Sequence, residues 1–254
     1  MNRTGNPFMN SDTFQRIDAT YETARTTMTV RGTMKKSGIM FLLLMASAVA
    51  GWAMPVLPLA VGGLIAAFVL VLVTAFKRDI SPITAPIYSV LEGYALGAIS
   101  LVISTQLADN KNPLYHYAVP IAALGTIATL GVMLGLYSAR IIRVTDTMRS
   151  VIMGATLAIA ITYGLSLIIG LFAPQFVGAL AIYKSGPIGI GFSLFVIGLA
   201  AMNFLIDFDN IERGAASKAP GYMEWYCALG LMITVVWLYI EILRLLSKLA
   251  NNRN

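Results

Sequence analysis

Long apolar runs separated by short polar joints make up the chain from residue 37 onward. They fall at 37–54, 56–76, 84–105, 115–137, 150–172, 186–206 and 225–248. Each is about twenty residues, the length an α-helix needs to cross a hydrocarbon core. In lipid no water satisfies backbone N–H and C=O groups, so a run of this length must be a helix or a strand of a closed barrel. Barrel strands are about ten residues long and alternate in polarity; these runs do neither. The pattern predicts an all-α polytopic membrane protein, a seven-transmembrane-helix bundle that fills residues 37–250 as one domain. Pro55 and Pro58 predict a tight first hairpin. Pro82 and Pro86 open the third run, where proline is tolerated.

Residues 1–36 are polar and read as a tail lying in front of the bundle. Phe14, Ile17, Tyr21, Ala24 and Met28 recur there at helical spacing. That spacing fits an amphipathic helix on the membrane surface, and the composition fits a frayed tail equally well.

Composition narrows the chemistry. The chain has 254 residues, 57% of them hydrophobic and 12% charged, about half the charged share of a soluble domain. A single cysteine, Cys227, excludes an internal disulfide and a cysteine metal cluster. A single histidine, His116, excludes paired-histidine zinc motifs. No cofactor is expected. The net charge of +6 sits in the tail and joints, where topology explains it without nucleic-acid binding. Thirteen Lys and Arg fall in the tail and the joints on its side, against five (Lys111, Lys184, Arg244, Lys248, Arg253) on the other. The excess puts the N-terminus in the cytoplasm. A re-entrant last helix would bring the C-terminus to the same side, and the sequence leaves that choice open.

Two GxxxG spacings, Gly93–Gly97 and Gly131–Gly135, predict close helix packing. An intramembrane serine hydrolase is not expected. Ser193 in Gly-Phe-Ser-Leu would need a histidine in reach, and His116 lies at the far-side start of another helix.

Carboxylates inside apolar runs carry the functional signal. Glu92 lies eight residues into the third run and Glu241 about sixteen into the last, roughly 12 Å and roughly 24 Å from their helix starts. A charge in hydrocarbon costs several kcal/mol, so such residues face a bundle interior or a wet cavity and take partners. Arg244, three residues on, could pair with Glu241 at the surface. The stretch NFLIDFDNIERG, residues 203–214, adds Asp207, Asp209 and Glu212 where the sixth run ends. These acids fit a solvated helix end or a polar mouth. Asn203, one turn earlier, suits a bundle-facing hydrogen bond or a place in a pore.

LEGYALG in the third run, FDNIERG closing the sixth and LYIEILRLL in the last resemble, in that order, the Bax inhibitor-1 family. GNPF and TVRGTMKKSGI ahead of the first run are similar to a bacterial branch of it. The resemblance implies a seven-helix, pH-sensitive calcium leak. In it a carboxylate ending helix six and another in helix seven share a proton in the closed state, and ionisation opens the path. Glu92-Gly93 matches the family's Glu-Gly. The helix-six position falls on Asp209, or on Asp207 with a two-residue shift. The helix-seven position falls on Glu241 if several residues are inserted, and on Thr234 if none are.

The ion-path or pH-sensing set is then Glu92, Asp207, Asp209 and Glu241, with Asn203 and Thr234 as supporting polar groups. Arg78, Arg140 and Arg143 are the candidates to lock the closed state. Asp209 and Glu241 would bind calcium transiently, as permeant ion and not as cofactor. A straight seventh helix would set Glu241 roughly 20 Å deeper than Asp209, too far to share a proton directly. The implied partners are the lipid bilayer, calcium and proteins reached through the N-terminal tail, with no nucleic acid. The implied location is a bacterial inner membrane. The other reading is a non-transporting protein that modulates membrane proteases or stress-response partners. Neither reading makes the protein an enzyme.

Overall fold

The computed structural model describes residues 27–108, 116–172 and 182–251. Seven long helices run through it. They are α1 Val30–Ala53, α2 Leu57–Phe76, α3 Ser81–Ala108, α4 Ala118–Ser138, α5 Asp146–Phe172, α6 Pro187–Ala216 and α7 Met223–Asn251. A single 3-10 turn, Arg78–Ile80, leads into α3. All seven helices are long and apolar enough to cross a membrane. The protein is an integral membrane protein with an all-α, seven-helix bundle, as the hydrophobic pattern predicts.

Helix α7 sits at the centre, packed against α1, α3, α4 and α6. Helix α2 lies against α3, and α5 lies against α6. The main core joins Met40 of α1, Tyr88 of α3, Phe204 and Phe208 of α6, and Met232 and Leu238 of α7. On the outside, Leu42, Phe68, Leu124 and Leu157 are each at least 60% exposed, a surface suited to lipid contact.

The α1–α3 seam is the tightest crossing. A Cβ on Gly93 would strike the Leu44 backbone, and one on Gly97 would strike the Ala48 and Trp52 backbone. Ser47 Oγ also donates to the Val90 carbonyl across the seam (2.5 Å). The second GxxxG does not behave this way. Gly131 and Gly135 have open space where a side chain would be. Their spacing reflects a permissive exposed face of α4, not close packing.

Several helix ends differ from the apolar runs. Helix α1 starts at Val30, seven residues before residue 37, because a polar latch defines its start. Thr29 Oγ1 accepts the Gly32 N–H (2.9 Å). The Thr29 N–H and hydroxyl both donate to Glu224 Oε1 on α7 (2.8 and 2.9 Å). Lys36 Nζ, about two turns on, reaches Glu224 Oε2 (2.6 Å). Met28 is buried in an extended strap, its N–H bonded to the Ala219 carbonyl (2.7 Å). Met28 therefore does not continue an amphipathic helix; Phe14, Ile17, Tyr21 and Ala24 lie outside the described residues. Helix α7 is unbroken, so seven crossings put its end on the face opposite the start of α1.

The difference that matters most is in α6. It continues ten residues past the apolar run, to Ala216. Asp207 is thus not at a helix end but roughly 14 Å inside one.

Candidate functional site

Carboxylates and their partners form three tiers, the outer and middle ones parted mainly by the face of α6 they occupy and the inner one by depth along the bundle. In the middle tier, Asp207 of α6 accepts a hydrogen bond from Thr234 Oγ1 of α7 (2.7 Å). Thr234 is buried and Asp207 partly so. Glu92 of α3 belongs to the same level. It lies eleven residues into α3 and Thr234 eleven into α7, roughly 17 Å from the same face of the bundle. Tyr88 and Leu96, one turn to either side of Glu92, belong to core clusters that include α7 residues, Tyr88 to the one with Met232 and Val235, Leu96 to the one with Leu44 and Val236. Side chains four apart share a helix face, so Glu92 looks toward the α7 seam. It is 8% exposed and makes no hydrogen bond or ion pair among the described residues. Neither Glu92 nor Asp207 has a cationic partner among them.

The outer tier lies where α1 begins. Asp209 is held by Arg149 of α5 and by Arg213 one turn along α6 (2.7 Å). Arg149 also donates to Asn210 Oδ1 (2.7 Å), and its Nε is buried without a partner. Tyr137 donates its hydroxyl proton to Glu212 Oε2 (2.5 Å). The helical period explains the split between tiers. Asp207 and Asp209 are two residues apart, so they point about 200° from one another. One faces α7, the other α5 and the rim.

The inner tier is near the far face. Glu241 is fully buried. Its Oε2 accepts from the Tyr163 hydroxyl (3.0 Å) and from Arg244 (2.9 Å), while Oε1 has no partner among the described residues. The Arg244 guanidinium lies 4.7 Å from the Tyr163 ring centre. Two turns past Glu241, Lys248 is 5% exposed. Its ammonium donates to the Ile182 and Gly189 carbonyls and to Ser193 Oγ (2.8, 3.0 and 2.8 Å). Three donors meet three neutral acceptors, a clamp between the end of α7 and the start of α6.

The contact between helices six and seven is Asp207–Thr234, the residues that meet without an insertion. Glu241 sits seven residues deeper along α7, roughly 10 Å beyond Thr234. No group of three or more His, Cys, Asp or Glu gathers among the described residues to hold a metal. Asp209 and Glu241 stand in separate tiers, each already bound to arginine. Asn203 makes the bundle-facing bond, donating to Thr156 Oγ1 of α5 and to the Leu199 carbonyl (both 2.9 Å). Of the arginines suggested as locks, Arg78 stacks over Tyr226 (5.5 Å). Arg140 and Arg143 line a surface cavity and pair with no carboxylate among the described residues. The guanidiniums on the acids are instead Arg149, Arg213 and Arg244. Arg213 and Arg244 are legible as (i, i+4) and (i, i+3) neighbours of acids. Arg149 and Lys248 reach across helices, and no local spacing marks them.

The model of the family described as Bax inhibitor 1 like matches residues 6–251. The chain belongs to that family. A search of curated proteins finds no match.

Proposed function

We propose that this family member is a pH-sensitive cation leak, with calcium as the favoured ion, gated by ionisation of the carboxylates of the middle tier. The observation that carries the reading is a pair of inward-facing acids, Glu92 and Asp207, at one depth in separate helices and without a cationic partner among the described residues. A bundle built only for stability has no use for such groups, because buried charges are otherwise paired. Calcium is a hard cation that takes carboxylate, carbonyl and hydroxyl oxygens. Asp207, Glu92 and the Thr234 hydroxyl offer such oxygens midway through the bundle. The rim acids and Glu241 extend the polar line toward both faces.

In this conformation the Asp207–Thr234 bond closes α6 onto α7. Loss of protons from the middle-tier acids adds negative charge on both sides of α7, which attracts a divalent cation and loosens the seam. The acid that would share a proton with Asp207 is replaced here by a hydroxyl, so gating rests on single carboxylates and not on a coupled pair. The excess of Lys and Arg on the face where α1 begins makes that face the cytoplasmic one, in a bacterial inner membrane.

The test is calcium entry into dye-loaded liposomes at about pH 6 and about pH 8, a range that straddles carboxylates shifted by their surroundings. Flux should be higher at the upper pH and fall to the level of empty liposomes in Asp207→Asn and Glu92→Gln. Equal flux at both pH values, or flux unchanged in both variants, would remove the reading.

A second reading, a non-transporting partner of other membrane proteins, draws on the strap. Residues 27–29 are pinned by hydrogen bonds to Ala219 and to Glu224 of α7, which fixes the residues that follow segment 1–26. Co-purifying proteins lost on deleting residues 1–26, in a protein without flux, would favour it.

A further inference from the structure

We propose that the cavity beside the α4–α5 turn binds the phosphate of a phospholipid headgroup, with Arg140 and Arg143 as its ligands. The cavity has a volume of about 620 Å³ and lies between α1, the α4–α5 turn and α6. Its charged lining is Arg140, Arg143, Asp209 and Glu212. The two acids are already committed. Asp209 is held by Arg149 and Arg213, and Glu212 accepts the Tyr137 hydroxyl. The side chains of Arg140 and Arg143 make no hydrogen bond or ion pair among the described residues. What the cavity offers a ligand is therefore two unmatched guanidiniums, donors whose planar fork fits a phosphate.

Local backbone supports the assignment. Arg140 follows the end of α4 at a φ of 56°, a left-handed conformation that usually falls to glycine or asparagine at a helix C-terminus. The Arg140 N–H bonds the Tyr137 carbonyl (2.9 Å), and the Ile141 N–H bonds that of Leu136 (3.0 Å). A glycine would make the same turn at less strain but would carry no guanidinium.

The mouth of the cavity indicates where the phosphate comes from. Val30 and Met34 of α1 line it and are 45% and 39% exposed, and Ile142 of the turn lines it too. An amphiphile whose phosphate meets the arginines would lay its chains on these residues, at the level where headgroups sit. A soluble phosphate would leave that apolar rim uncovered. Basic pockets between helices at a membrane surface are known to suit anionic headgroups. Neither arginine touches the middle tier, so lipid binding here does not rest on the carboxylates proposed to gate.

The test uses the full chain purified in mild detergent and examined by native mass spectrometry, with three probes. These are dioleoylphosphatidylglycerol, dioleoylglycerol (the same chains without phosphate) and inorganic phosphate. Wild-type protein should retain the phosphatidylglycerol and release the dioleoylglycerol. Arg140→Gln/Arg143→Gln should lose retention about tenfold or more, the worth of at least one charge-assisted hydrogen bond. Arg140→Lys/Arg143→Lys should keep part of it, and Arg78→Gln all of it. The mutated side chains are exposed, so thermal unfolding of the Gln pair should match wild type and exclude misfolding as the cause. Retention unchanged in the Gln pair, or equal retention of dioleoylglycerol, would overturn the proposal. Displacement of the lipid by inorganic phosphate at equal concentration would overturn the lipid assignment and give the arginines to a soluble phosphate.

Discussion

Asp209 and Glu241 are both carboxylates bonded to a nearby arginine on their own helix, yet they sit in opposite physical settings. Asp209 has a second guanidinium, from Arg149, and its side chain keeps 14% of its exposure. Among the described residues Glu241 has one guanidinium, one tyrosine hydroxyl, no exposure at all and one oxygen with no partner. A rim pair is surrounded by water and by spare partners, so losing one member changes little. An interior pair is surrounded by hydrocarbon, so losing one member strands the other. Sequence spacing makes the two look alike; burial separates them.

The largest effect should follow from Arg244→Gln. It removes the one cation that, among the described residues, is bonded to the fully buried Glu241 carboxylate. Breaking a buried pair in this way typically costs about 3–5 kcal/mol, because the surviving charge is left uncompensated. We expect a fall in the unfolding temperature of the protein in nanodiscs that is several times larger than for any rim substitution. Glu241→Gln/Arg244→Gln should recover much of that loss, since a neutral pair leaves no stranded charge. If the double variant is as unstable as the single, the damage lies in the packing of Arg244 on Tyr163 and not in the charge.

Next in size is Thr234→Val in the middle tier. It keeps the shape of the side chain and deletes the hydroxyl that donates to Asp207. A hydrogen bond to a charged group contributes about 1.5–3 kcal/mol; the partial exposure of Asp207 lets water replace some of it, so about 1 kcal/mol is expected. The informative partner is Thr234→Asp, which sets a second carboxylate against the first and creates the acid pair that the wild-type chain lacks. Two such groups titrate as a unit. Calcium flux in Thr234→Asp should vary more steeply with pH than in wild type. An unchanged slope would mean that the α6–α7 seam does not gate.

Much of this was open to reading from the residues, and the rest was hidden for physical reasons. Apolar run length gave the seven helices directly, because lipid leaves the backbone few alternatives. It misplaced helix ends wherever polar side chains, not apolar ones, define the end. Thr29 and Glu224 start α1 with residues that look like tail and loop, and α6 carries Asp207, Asp209 and Glu212 on helix that hydropathy assigns to water. GxxxG shows the same limit. Gly93 and Gly97 sit against α1 backbone while Gly131 and Gly135 face open space, and the motif alone cannot say which face has a neighbour. The acids were legible as candidates because charge in an apolar run is rare. Their partners were legible only within one helix, at three or four residues' spacing. Arg149 on Asp209, Tyr163 on Glu241 and Lys248 on Ser193 all depend on which helices pack together, which one sequence does not encode locally.

The smallest effect, Arg213→Ala, is the control that gives the comparison its meaning. Arg213 bonds Asp209 one turn away along α6, and its side chain is 58% exposed. Exposed pairs at this spacing contribute about 0.3–0.5 kcal/mol, and Arg149 remains on the same carboxylate oxygen. Thermal unfolding in nanodiscs should therefore shift by an amount close to experimental error, and added salt should shrink it further because surface charges are screened. Arg149→Ala at the same acid should cost more, since it also gives up the Asn210 bond and the link between α5 and α6. A loss for Arg213→Ala as large as for Arg244→Gln would show that the rim is as dry as the interior. Asp209 would then have to be moved from the outer tier into the buried polar line.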